Sequence, residues 1–109
     1  MARYERNFNM PIFTVARKVE DAVMQGSISA SLEESSDFTF NGVSCAVRVF
    51  ERYSWLGSNR VSMSITMVGD QNSTHLVAVT SGGSQAVFFK VNTWGEESFL
   101  ETLTRALEG

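Results

Sequence analysis

Residues 61–67 read Val-Ser-Met-Ser-Ile-Thr-Met, an unbroken alternation of apolar and hydroxyl-bearing side chains. A period of two commits this segment to a β-strand with one face in a core and the other turned outward. A sheet of such strands needs cover on its apolar face alone, so the chain must supply helices that lie on one side of it. The expected class is α+β.

Neighbouring segments repeat the period. Tyr4, Phe8 and Met10 oppose Glu5, Asn7 and Asn9 in a short first strand closed by Pro11. Ile28, Ala30 and Leu32 alternate with Ser27, Ser29, Ser31 and Glu33, and Phe38 and Phe40 lead into Asn41-Gly42. Asn-Gly takes positive φ at little cost and marks a two-residue hairpin. Val43, Cys45, Val47 and Val49 then alternate with Ser44, Ala46 and Arg48, in a strand that can run on to Trp55. Gly69-Asp70-Gln71-Asn72 turns the chain into a strand at 74–81, and residues 86–91 are a candidate for one more.

Two segments change to helical spacing. Val15, Ala16, Val19, Ala22 and Val23 share a stripe over 14–25, with Arg17, Lys18, Glu20 and Asp21 opposite. Thr14 is placed to cap this helix, and Gly26 to end it in a left-handed conformation. Phe99, Leu100, Leu103, Ala106 and Leu107 form the second stripe, preceded by Thr93-Trp94-Gly95-Glu96 at capping-box spacing. The predicted architecture is a two-layer sandwich: an antiparallel sheet of five to six strands with two helices on one face, in the order β-α-β-β-β-β(-β)-α. With 109 residues the chain is read as a single domain, 1–109.

Composition narrows the function classes. The net charge is −3 and the nine basic residues are dispersed, which argues against nucleic acid as a partner. No apolar run approaches the length of a membrane span, and the first residues, Met-Ala-Arg-Tyr-Glu-Arg-Asn, lack the apolar core of a signal peptide. One cysteine, Cys45, provides neither an internal disulfide nor a multi-cysteine metal site. The expected location is the cytoplasm. One histidine, His75, follows a polar turn, where a solvated side chain is ordinary; no catalytic residue, metal site or cofactor is predicted.

Glu51 carries the most information. The parity of Val43, Cys45, Val47 and Val49 places Glu51, Tyr53 and Trp55 inward, and a carboxylate on an apolar face must be paired or must border a wet cavity. Either a bulge or an ion pair with Arg6 accounts for it structurally. Functionally, it is the polar group of a pocket between the sheet and the C-terminal helix. The candidate ligand-binding residues are Glu51, Tyr53, Trp55, Ser81, Gly82, Gly83 and Trp94, and the expected ligand is a small amphipathic molecule. The alternative is a homodimer formed through an outer sheet face bearing Ser29, Ser31, Ser44, Ser62, Ser64 and Thr66 together with Arg48 and Phe50.

Several stretches together carry a resemblance: Gly-Ser-Ile-Ser-Ala-Ser-Leu-Glu-Glu-Ser-Ser-Asp-Phe at 26–38, Cys-Ala-Val-Arg-Val-Phe-Glu-Arg-Tyr-Ser-Trp at 45–55, Asn-Arg-Val-Ser at 59–62, Thr-Ser-Gly-Gly-Ser-Gln-Ala at 80–86 and Asn-Thr-Trp-Gly-Glu-Glu at 92–97. Over most of its length the chain resembles a small uncharacterised bacterial family, a domain of unknown function. That resemblance implies no activity. In element order the chain is also similar to a shortened helix-grip domain, in which a curved antiparallel sheet holds a C-terminal helix over a cavity.

Overall fold

The computed structural model describes the backbone of residues 1–27, 29–54, 59–82 and 89–108, and the side chains of all of these except 54, 59 and 89–95. Seven elements follow one another: β1 (Ala2–Phe8), α1 (Ile12–Gly26), β2 (Ser31–Phe40), β3 (Val43–Ser54), β4 (Asn59–Gly69), β5 (Thr74–Gly82) and α2 (Phe89–Glu108). The strands form one antiparallel sheet in the order β1-β5-β4-β3-β2. β2 to β5 thus form a meander, and β1 closes it by pairing with β5.

Turn chemistry sets the hairpins. Asn41 and Gly42 take φ of 51° and 77° between β2 and β3, as a two-residue turn with positive φ at both positions requires. At the β4–β5 turn a Cβ on Gly69 would fall 2.2 Å from the Ser73 carbonyl oxygen, so no other residue fits without moving backbone. The Asp70 carboxylate accepts from the Asn72 and Ser73 amides at 2.8 and 3.0 Å, and these amides hold its pKa below the usual value. The Ile12 amide donates to the Asp70 carbonyl at 3.1 Å, so the same turn anchors the first residue of α1.

Both helices cover one face. Ile12, Val15, Ala16, Val19, Ala22 and Val23 of α1 and Phe99, Leu100 and Leu103 of α2 are buried in one cluster with Met63, Ile65, Met67, Leu76 and Ala78 of the sheet. Burying this set supplies the main driving force for folding, at about 1.5–3 kcal/mol for each large side chain. At the end of α1, a Cβ on Gly26 would meet Thr102 Cβ at 3.1 Å. Gly26 therefore serves close helix approach: it belongs to α1 itself, and Ser27, with φ −142°, is the extended residue that follows. Nor does Thr14 cap α1, whose N-cap is Pro11 with no side-chain bond.

On β3 the covered face is the opposite of the one that valine counting predicts. Register pairs Ala46, Arg48, Phe50 and Arg52 with Met67, Ile65, Met63 and Val61, and residues directly opposite share a face. Ala46, Arg48 and Phe50 are buried beneath the helices, whereas Cys45, Val47, Val49, Glu51 and Tyr53 lie on the side that no helix covers. Both parities of β3 carry apolar residues. The choice falls to Phe50, which has more surface to bury than any valine and sits beside Met63.

Arg48 becomes tolerable there because it is paired on both sides. Its Nε donates to Glu20 of α1 at 2.6 Å, and Nη1 donates to Asp37 of β2 at 2.7 Å and to the Val47 carbonyl at 2.9 Å. Arg6 does not meet Glu51: its guanidinium lies 4.8 Å from the Phe8 ring centroid and donates to the Leu107 carbonyl. β2 bulges, as its register shifts between Leu32 and Glu34, but β3 keeps an unbroken register with β4.

The C-terminal helix begins earlier than its sequence signal. Residues 89–91, read above as the end of a strand, belong to α2, and 86–88 lie outside the described residues. Thr93 and Glu96 are therefore inside the helix and not at its start. The buried Glu96 carboxylate instead accepts from the Gly82 amide at 3.0 Å and from the N-terminal amine at 3.1 Å.

Candidate functional site

With both helices on one side, the other face of the sheet is left open by the described residues, and its residues follow from the register. Three lines cross all five strands from β1 to β2. The first runs Arg3, Val79, Ser64, Val49, Glu34; the second Glu5, Val77, Thr66, Val47, Ser36; the third Asn7, His75, Val68, Cys45, Phe38. At the end beyond the third line stand Val43 and Phe40, paired across the hairpin.

Valines flank the middle strand of this face, while β4 itself presents Ser62, Ser64 and Thr66 before Val68. Val47, Val49, Val77 and Val79 are half-buried only by their neighbours on the sheet, and Phe38, Phe40, Val43 and Val68 are 51, 68, 41 and 40% exposed. Single exposed apolar residues are ordinary on any protein. Several on one sheet face, bordered by charges, are the usual mark of a contact surface.

The predicted pocket residues divide between places. Glu51 and Tyr53 lie on the open face, on the far side of the sheet from α2. Glu51 accepts from Arg60 Nη1 at 2.7 Å and from Ser62 Oγ at 3.3 Å, so its charge is met by the next strand. Glu51, Tyr53 and Arg60, with Ser29, Ser31 and Arg52, border a small depression of about 60 Å³. Ser81 joins the same face through the line Ser81, Ser62, Glu51, Ser31, whereas Gly82 takes the other parity and donates to Glu96. Trp55, Gly83 and the Trp94 side chain lie outside what the structure describes. Among the described residues, the space between sheet and α2 is occupied by Phe99 and Leu103, both with no exposed surface.

A groove of about 580 Å³ does exist, but between the two helices, lined by Gln25, Arg52, Ser98, Glu101, Thr102 and Arg105 among others. The Arg52 guanidinium sits 4.8 Å from the Phe99 ring centroid, and burial lowers its pKa. The exposed Arg105–Glu101 pair, at 3.1 Å, forms part of its rim.

His75 lies on the open face between Asn7 and Glu5, hydrogen-bonded to both, and this contact is the chief cause of the lowered Glu5 pKa. Val68 and Val77 beside it offer no nucleophile. Among the described residues, no three His, Cys, Asp or Glu side chains gather as metal binding would require. No described helix is long and apolar enough to cross a membrane. What sequence reasoning missed is that Val47, Val49, Val77 and Val79 lie together on the face away from the helices, half-buried. The signal was present in the double apolar parity of β3, because a strand covered on one side only has no need of both.

Fold and surface together define a two-layer α+β domain with a helix-covered face and an open face rich in valine. The whole chain, residues 1–109, matches the model of a family of unknown function, DUF6054, and the protein belongs to that family. No curated protein and no solved structure matches the chain.

Proposed function

We propose that this is a non-catalytic protein-interaction domain whose working surface is the open face of the sheet. The observation that carries the reading is that Val47 and Val49 of β3, Val77 and Val79 of β5, Val68 of β4 and Phe38 of β2 all face away from both helices, on either side of the β4 hydroxyls Ser64 and Thr66. Valine at strand positions satisfies β-propensity on either face. Solvation alone would favour Thr, Lys or Glu at these positions, and a partner surface would favour what is there. A cytoplasmic setting goes with this reading, supported by the lone Cys45.

Photo-cross-linking from position 49, with exposed position 18 on α1 as control, tests the proposal. The expected result is an adduct from 49, with this chain or another, that unlabelled protein competes away and the Val49→Lys variant does not. Equal labelling from both positions, or no competed adduct, would overturn it.

A further inference from the structure

We propose that the partner of the open face is a second copy of this chain, stacked sheet on sheet about a two-fold axis that runs between the sheets close to parallel with β4. The inference rests on the reading of that face as an interaction surface, and adds the identity and geometry of the partner.

It starts from strand order. β4 is the middle strand of five, so a two-fold axis along it exchanges β1 with β2 and β5 with β3. Apply that exchange to the line Arg3, Val79, Ser64, Val49, Glu34. Arg3 then stands over Glu34 of the other copy, Val79 over its Val49, and Ser64 over its own counterpart. The line has the same shape read from either end and carries opposite charges at its two ends, as self-complementary stacking demands. The second line behaves alike: Val77 falls over Val47 and Thr66 over Thr66, with Glu5 at the rim over the uncharged Ser36.

The groups at the rim are available. Arg3 is 63% exposed, and its pairing with Glu5 uses one of its five donors. Glu34 accepts from the Ser35 amide through one carboxylate oxygen and has the other to offer. Sheets stacked in this way cross at roughly 30°, which displaces rim residues by a few ångströms, within the reach of an arginine.

Other self-associations fare worse. A two-fold axis across the strands, along the second line, would set each strand over itself and bring Glu5 against Glu5. Edge-to-edge pairing through β2 meets the bulge between Leu32 and Glu34 and a strand carrying Glu33, Glu34 and Asp37. Bulges and like charges are the usual means of keeping an edge unpaired.

Size is adequate as well. Five strands at a spacing of about 4.8 Å, from roughly 24 to 41 Å long, present a face of about 650–800 Å². A standard interface takes about 800 Å² from each partner.

Sedimentation equilibrium over a concentration series, with charge reversal, tests the proposal. A reversible dimer is expected, lost in Val49→Lys and in Val77→Lys while their melting temperatures show that the monomer is folded. Arg3→Glu and Glu34→Arg should each weaken the dimer about tenfold, and the double variant should recover to within roughly threefold of the original. A dimer lost in Val49→Lys but not recovered by the double reversal would overturn the axis. A protein that is monomeric at all concentrations would overturn the second copy as partner, while competed cross-linking from position 49 to a different protein would leave the interaction surface standing. A dimer indifferent to both lysine variants, with no competed adduct from position 49, would overturn both.

Discussion

Arg48 offers the sharpest test of how this fold tolerates charge. Its side chain is 6% exposed, and the carboxylates that meet it, Glu20 and Asp37, are 37 and 45% exposed. The two sides of the clamp are therefore unequal. Replacing Arg48 by Met removes the buried cation, puts an apolar chain of similar length in its place, and leaves two carboxylates that water can reach. Exchanging buried ion pairs for apolar groups of matching volume is often close to neutral, so Arg48→Met should cost about 1 kcal/mol or less. Glu20→Gln combined with Asp37→Asn keeps the shape but strands the guanidinium, whose only compensation is then amide dipoles. Breaking a buried pair costs about 3–5 kcal/mol, and the amides still accept hydrogen bonds, which places this variant near 2–4 kcal/mol. At about 4–8 °C per kcal/mol for a domain of this size, the double variant should melt roughly 8–32 °C lower and Arg48→Met within about 8 °C of the parent. Adding Arg48→Met to the double variant should restore most of the loss. Thermal and urea melts at pH 7 provide the measurement. Arg48→Met costing as much as the amide pair, or failing to rescue it, would refute the argument that the buried cation sets the cost.

Three further expectations can be read from the same melts, in protein dilute enough to be monomeric. Phe50→Ala should destabilise by about 3–5 kcal/mol and Val49→Ala by about 1 kcal/mol or less, because only Phe50 lies beneath the helices; the reverse order would return β3 to its other parity. Gly69→Ala should cost about 1–3 kcal/mol or more, since its Cβ would collide with the Ser73 backbone and loosen the turn that holds Ile12. Asp70→Asn should lower the melting temperature at pH 7. The Asp70 pKa is depressed in the folded state, so its contribution is complete above the unfolded value of about 4 and is lost as pH falls through the folded value. The gap between Asp70→Asn and parent should therefore close at low pH, and a gap that stays constant down to pH 2 would contradict this.

Local chemistry alone determined much of this molecule. The alternation at 61–67 made β4 one-sided, Asn41-Gly42 specified the β2–β3 hairpin, and the stripes through Val15–Val23 and Phe99–Leu107 required two helices on one face. Each of these signals depends on residues within one or two turns or strand repeats of each other, so each can be read without knowing what lies opposite. The face taken by β3 is a different kind of fact. With valines on one parity and Ala46 and Phe50 on the other, periodicity is satisfied either way, and only pairing with Met63 and Met67 decided it. That decision turned Glu51 and Tyr53 from pocket residues into residues of the open face, and Arg48 and Phe50 from surface residues into buried ones. Arg48 could enter the interior only because α1 and β2 bring Glu20 and Asp37 to it, from 28 and 11 residues away in sequence. The open face itself is built from all five strands, and its charge-reversed line from Arg3 to Glu34 exists only once they are in register. Side-chain period is local, whereas which face is buried and what gathers on the other are set by long-range pairing, and no single segment of the chain carries that information.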